Sequence, residues 1–195
     1  VFKGDYQSYL AQVETAVCLG SPAAAILDHA ESGEYDTIVV GAHILGGFFD
    51  RFATSTMKKV ATEAATNVLV VQEQREALNR ILVCTAGREV DRPLIEKSAS
   101  LAKNTGAKVT ILFVTAPVPA MYAGLETMEE TRTELLASDT LHAQELKWSV
   151  QHFKDEGIDV KLKMRNGIVT DEIHHEINVG DYDLVIVGAH TENNF

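Results

Sequence analysis

The residues of this 195-residue chain that could do chemistry stand mostly at glycines and at the hydroxyls that follow them. Gly41 leads into a stretch rich in glycine and phenylalanine, residues 42–53, which holds Gly46 and Gly47 and runs on into Thr54 and Ser55. Glycines let a backbone approach a phosphate, and amides and hydroxyls at the next helix start can bind the anion. Ser55, with its threonine neighbours, reads first as a helix cap and second as a phosphate ligand. Cys18 and Cys84 are lone residues on strand patterns and read as small buried hydrophobes in a reducing compartment. His174 and His175 are adjacent on a helical stretch and so point in different directions, whereas metal-binding pairs want i, i+4 spacing; they read as surface histidines. No Gly-x-Ser-x-Gly occurs, and the spacing yields no Ser/His/Asp constellation.

His43 and His190 occupy matched positions, and that match is part of a larger repetition. The run from Tyr35 to His43, Tyr-Asp-Thr-Ile-Val-Val-Gly-Ala-His, recurs from Tyr182 to His190 as Tyr-Asp-Leu-Val-Ile-Val-Gly-Ala-His, an offset of 147 residues. The same offset pairs Val13 with Val160, Gly20 with Gly167 and Ile26 with Ile173. A fixed period held without a gap over roughly thirty residues is an internal repeat. Each copy reads strand, glycine, helix, acidic turn, strand, then Gly-Ala-His.

These elements are what must position the glycines. Residues 1–12 are polar and read as the tail of a helix. Val13 to Cys18 alternates as a strand does, and Ser21-Pro22 then starts a helix that ends near Gly33. The unbroken apolar run before Gly41 fits a strand covered on both faces, hence a parallel sheet. Thr54-Ser55-Thr56 caps a helix carrying Met57, Val60, Ala61 and Ala64, and Val68 to Val71 is the next strand. Charged residues 72–79 mark a boundary between units. Beyond it come strand Arg80 to Cys84, a helix started by Asp91 and Pro93 and closed by Gly106, and strand Val109 to Val114. A long helix from about Leu125 to Glu156, with a break near Ser138-Asp139, leads into the second copy of the repeat: strand Val160 to Met164, helix 168–179 and strand Asp183 to Val187. Strands alternating with helices imply a doubly wound parallel sheet, whose ligands sit beyond the carboxyl ends of the strands. The candidate loops are those after Cys84, Val114, Gly41 and Gly188. Asp36 and Asp183 read as turn residues. The acidic run around Glu126 to Glu134 reads as a solvated helix face, and Phe48 and Phe49 read first as packing onto the following helix and second, if both are exposed, as an apolar patch for a partner.

Composition bounds the rest. A net charge of −11 argues against general attraction to nucleic acid or an anionic membrane surface. No apolar run approaches the roughly 20 residues that span a bilayer. The opening Val1-Phe2-Lys3 resembles neither a signal peptide nor a natural initiator, so the chain is expected to begin inside a longer one.

The passage 36–47, with Thr54-Ser55 and Asn67 to Val71, resembles the universal stress protein family; so does Ile81 to Gly87, followed by 101–114. The resemblance implies a flavodoxin-like, adenine nucleotide alpha hydrolase-like α/β fold in two partial repeats. Residues 1–75 would be the C-terminal part of the first and 80–195 the N-terminal three-quarters of the second. Nucleotide-binding members of that family carry Gly-x-x-Gly, nine residues, then Gly-Ser or Gly-Thr. Here Gly41 keeps the first glycine, Ile44 stands at the second, Thr54 at the third, and Ser55 keeps the hydroxyl. A branched side chain at Ile44 obstructs close backbone approach, and Gly46 and Gly47 restore freedom only at another spacing. After the first strand, Ala86 stands where an Asp is usual before Gly87, and Arg88 where a serine is common; Val114 matches the position whose backbone would meet an adenine ring. By the same resemblance, His43 and His190 are polar loop residues rather than metal ligands.

The expected function is therefore a cytoplasmic, non-enzymatic stress-response or regulatory module that acts by association, with no required cofactor. It would form a homodimer through the edge strand Val68 to Val71, with exchange of residues 36–72 between chains as a specific form. The competing reading is an ATP- or AMP-binding module with slow or no hydrolysis, its site built from Gly41, Gly46, Gly47, Thr54, Ser55, Ala86, Gly87 and Val114. A third, a regulatory domain cut from a transporter, fits the ragged ends.

Overall fold

The computed structural model describes residues 13–33, 35–41, 55–72, 75–115, 133 and 135–188. The chain divides into two compact units, 1–74 and 75–195.

In the first unit, helix α1 (Pro22–Ser32) starts at a proline, where the missing N–H costs nothing. It leads to strand β1 (Thr37–Gly41), helix α2 (Ser55–Glu63) and strand β2 (Asn67–Val71). The strands pair in parallel from Thr37 against Asn67 to Gly41 against Val71. Ala23 and Leu27 of α1 and Val60 of α2 pack over Ile38, Val40 and Val68, so both helices cover one face. On the other face Val39, Leu69 and Val71 are exposed, and no described helix covers them. The expectation that β1 is covered on both faces fails within this unit, because both of its described helices lie on the same side.

Residues 13–19 also depart from expectation. They form no strand, and Cys18 is exposed rather than buried. The reason is pairing. The matching segment in the second unit is a strand because it bonds to a neighbour, and no described strand of the first unit offers residues 13–19 that neighbour.

The second unit is a four-stranded parallel sheet with the order β5-β4-β3-β6. Its strands are β3 (Arg80–Thr85), β4 (Lys108–Thr115), β5 (Val160–Asn166) and β6 (Leu184–Val187). A turn of 3-10 helix (Glu89–Asp91) precedes helix α3 (Arg92–Thr105), which Gly106 closes. Helix α4 (Leu141–Asp155) is capped by Thr140, whose hydroxyl accepts from the Ala143 amide at 3.3 Å; the expected break falls here, and residues 116–132 lie outside the described residues. Helix α5 (Val169–Gly180) returns the chain to β6.

The sheet is doubly wound. On one face Ile81, Val83, Ile111 and Phe113 pack against Ile95, Ala99 and Ala102 of α3 and Leu146 and Phe153 of α4. On the other, Leu82, Cys84 and Leu112 pack against Ile173 and Ile177 of α5. Strands β3, β4 and β5 step one way across the sheet, and β6 returns to the far side of β3. The switch point therefore lies between the carboxyl ends of β3 and β6, where such sheets hold ligands.

Asp183 proves more than a turn residue. Its carboxylate accepts from the Asn79 and Arg80 amides at 2.8 and 3.0 Å and stands 3.7 Å from Arg75, stapling the start of β6 to the start of β3.

Candidate functional site

The switch point is built from the loop that follows β3. Thr85 ends the strand, buried, and its hydroxyl donates to Asp91 Oδ2 at 2.7 Å. The Ala86 and Arg88 amides donate to the same oxygen at 2.9 and 3.4 Å. The Gly87 amide donates to Thr85 Oγ1 at 2.9 Å. Asp91, itself buried, thus occupies the center of a ring of donors at the entry to α3. Donors gathered there would otherwise suit a phosphate.

Gly87 turns the loop at φ +64°, where a side chain is strained, and a Cβ there would crowd Phe113 Cε2 at 3.2 Å. Its carbonyl accepts from His142 Nδ1 at 2.9 Å. A carbonyl can only accept, so the imidazole carries its proton on Nδ1. The His142 ring lies 5.9 Å from Phe113, centroid to centroid.

Beside this loop Arg92 makes a two-pronged pair with Glu145, at 2.9 and 2.7 Å, and lies over the Trp148 ring at 5.0 Å. The hydrogen bond from Arg92 holds the Glu145 carboxyl below the usual carboxylate range, and the same bond raises the Arg92 guanidinium. Together these contacts tie α3 to α4 around the loop. The nearby Cys84 is inert: burial, with Glu176 adding to it, pushes its thiol up to about 12.

The sequence-derived site residues are distributed as follows. Ala86 and Gly87 form the loop. Val114 stands on the adjacent strand, one residue past the Thr85–Phe113 pairing, with its backbone opposite Arg165 and its side chain against Leu82, Cys84 and Leu112. Ala86 and Gly87 thus lie at the switch point, whereas Val114 is on β4, on the side of β3 away from β6. Gly41 ends β1 and Ser55 opens α2, both exposed and both in the first unit. Gly46, Gly47 and Thr54 lie outside the described residues, as do Ile44, His43, His190, Phe48 and Phe49. His174 and His175 are exposed on α5. A shallow groove lined by Lys147, Val150, Gln151 and Lys161 runs between α4 and β5, apart from the loop after β3.

Sequence reasoning missed Asp91 as the loop's anchor, and it missed His142, Glu145 and Trp148. Their i, i+3, i+6 spacing on one helix face was a readable signal. It also missed a second network on the opposite face of the sheet. Glu176 of α5, with no exposed surface, accepts from Lys163 at 2.7 Å, from Arg165 at 3.3 Å and from the Tyr182 hydroxyl at 2.7 Å. Arg165 also pairs with Glu172. At the offset of 147, Tyr182 and Glu176 become Tyr35 and His29, which meet in the first unit at 3.1 Å. The repeat thus keeps one tyrosine contact and changes its partner.

The family model described as the Universal stress protein family matches residues 7–72 and 77–195. Among solved structures, a universal stress protein from Archaeoglobus fulgidus is similar with a TM-score of 0.60 and 15% identity, over 90% of this chain and 56% of that one. A functionally unknown protein from Pseudomonas aeruginosa PAO1 is similar with a TM-score of 0.59 and 12% identity, over 100% of this chain and 71% of that one. At those identities the likeness is one of fold. A universal stress protein solved in complex with cAMP is similar over 58% of this chain and 77% of that one, with 17% identity and a TM-score of 0.43. No curated protein sequence matches the chain.

Proposed function

Because the chain belongs to the universal stress protein family, we propose that it is a tandem-type stress-response or regulatory module that works by association and has a closed nucleotide site. The observation that carries this is the loop after β3. The Thr85 hydroxyl and the Ala86, Gly87 and Arg88 amides are all engaged within the protein, three of them by one buried carboxylate oxygen of Asp91. A ligand phosphate entering there would meet a carboxylate rather than free donors, and would have to displace it. The sequence supports the same reading, since Ile44 and Thr54 stand where the family's nucleotide-binding members have glycine.

Association uses the sheet edge. Among the described residues β2 pairs only with β1, which leaves its outer edge for another strand. A homodimer forms there, and an exchanged form has residues 36–72 of one chain completing the second unit of another. A light-scattering dilution series tests this, with circular dichroism confirming that the chain is folded. A dimer mass that falls to monomer on dilution is expected, and a folded monomer at every concentration removes the proposal.

The second reading, an ATP- or AMP-binding module with slow or no hydrolysis, is supported by one feature: Ala86 and Gly87 lie in the loop at the carboxyl end of β3, next to β4, the strand that carries Val114. Calorimetry with ATP, AMP and cAMP discriminates. No heat and no melting shift at millimolar ligand is the result expected of the closed site, and saturable binding establishes the alternative. Among the described residues no helix is long and apolar enough to cross a membrane.

A further inference from the structure

We propose that the outer edge of β5, with the groove that α4 forms beside it, docks an extended acidic segment of a partner protein as an added strand. This edge belongs to the second unit and is distinct from the β2 edge of the first. In the order β5-β4-β3-β6, β5 is an end strand, and among the described residues no strand pairs with its far side. The ladder shows which backbone groups it offers. At one end the Val109 amide donates to the Asp159 carbonyl at 2.9 Å, and at the other the Gly167 amide donates to the Thr115 carbonyl at 3.1 Å. A parallel ladder uses alternate residues of each strand. Lys161, Lys163 and Arg165 therefore serve β4, and the amides and carbonyls of Val160, Leu162 and Met164 point outward. Such a row is a template for a strand.

The groove beside the row has an apolar floor of Leu136, Val150, Val160 and Leu162. Its rim is cationic. Lys147, Val150, Gln151 and Lys154 recur at i, i+3, i+4 and i+7, so α4 turns one face to the groove. Lys161 stands across from them on β5.

These lysines are uncommitted, and that selects the occupant. Among the described residues Lys154 and Lys161 meet no carboxylate, and Lys147 reaches the Ser138 carbonyl at 3.4 Å. The acids near them are spoken for: Asp155 accepts from Gln151 at 2.7 Å, Glu156 pairs with Lys103 at 2.7 Å and Asp159 with Lys108 at 3.1 Å. Three lysines left over around an apolar floor, in a chain of net charge −11, complement a segment that carries carboxylates about a short apolar centre. Side chains of an added strand alternate, so one set lies on the floor between Lys147 and Lys154 and the other lies beside Lys161. A second copy of this chain is a poorer occupant. Two β5 edges related by a two-fold axis would bring the same lysines face to face.

The test uses the full chain and a capped peptide, Glu-Glu-Val-Glu-Val-Glu-Glu, as long as β5. Calorimetry should show saturable binding, and the same peptide with lysine for glutamate should bind at least about tenfold more weakly. Without peptide, the Leu162 and Met164 amides should exchange faster than those of Lys161 and Lys163; at saturation they should slow by about tenfold or more. Methylating the peptide's odd-numbered backbone nitrogens, or its even-numbered ones, should abolish binding in one case and spare it in the other, because alternate amides of an added strand face β5. Lys147→Glu, Lys154→Glu and Lys161→Glu together should leave the melting temperature unchanged and weaken binding at least about tenfold. The proposal is overturned by no binding at millimolar peptide, by equal binding of the lysine peptide, or by binding that leaves Leu162 and Met164 fast. Slow exchange at those two amides without peptide also overturns it: at every concentration it means that the chain covers its own edge, and only at high concentration that a second copy does.

Discussion

Glu176→Gln is the substitution whose effect follows most directly from the geometry. Burial alone would push this carboxyl up, but hydrogen bonds from Lys163 and Tyr182 and the charges of Lys163 and Arg165 outweigh it and hold the group below its ordinary value of 4.5. A carboxyl depressed in the folded state adds stability that is present above its unfolded value and lost as pH falls through its folded one. Glutamine keeps the shape and can still accept from Tyr182, so the loss is that of the charge. Breaking a buried pair costs about 3–5 kcal/mol. Two retreats reduce this: Arg165 keeps Glu172, and the Lys163 side chain, 37% exposed, can turn toward water. About 2 kcal/mol at pH 7 remains, or roughly 8 °C in melting temperature for a unit of this size. Trp148, the chain's sole tryptophan, lies on α4 and reports on the second unit by fluorescence in urea. The gap between wild type and variant should narrow steadily as pH falls below 4.5, because the wild-type carboxyl then takes up its proton. A gap that is the same at every pH, or absent at pH 7, would refute the reasoning.

Other expectations are as direct. Asp91→Ala should lower the second unit's stability by about 3 kcal/mol, since it strips the acceptor from the buried Thr85 hydroxyl and the Ala86 amide; Asp91→Asn should lower it less, and urea melts measure both. Gly180→Ala and Gly33→Ala should each cost about 1–3 kcal/mol, because a Cβ at either position runs into the ring of the tyrosine two residues on; thermal melts of the two variants test whether the repeated contact behaves alike in both units. In the native protein at pH 8, a thiol reagent should modify Cys18 and spare Cys84, which is buried with its thiol at about 12, and both should react in denaturant.

Most of the elements were legible in the sequence because they are local. The Ile-Val-Val run before Gly41, the Ser21-Pro22 helix start and the apolar spacing around Ile95 and Ala99 each announce their element without knowledge of a neighbour. Residues 13–19 failed for the opposite reason. Their alternation is that of β5, yet a strand exists only where another strand completes its bonds, and that condition is not local. The site was half legible. The switch-point loop could be placed from pattern, and Ala86 and Gly87 do lie in it, while Val114 stands on the neighbouring β4. Asp91 was read for its backbone role at a helix start, whereas its side chain turns back onto the loop. The Glu176 network joins a strand, a helix and a turn, and no spacing rule links Lys163, Glu176 and Tyr182. Its only trace in the sequence was the repeated tyrosine, whose partner changes from His29 to Glu176.

The claim that the protein acts through its sheet edge is tested most directly by light scattering of wild type beside Leu69→Lys across one dilution series. Leu69 sits at the middle of β2, exposed on the face that no described helix covers, so a lysine there burdens the edge without disturbing the covered face. The wild type should show twice the monomer mass at high concentration and the variant a single monomer mass throughout. A wild type that stays monomeric, or a variant that dimerises equally well, would contradict the account.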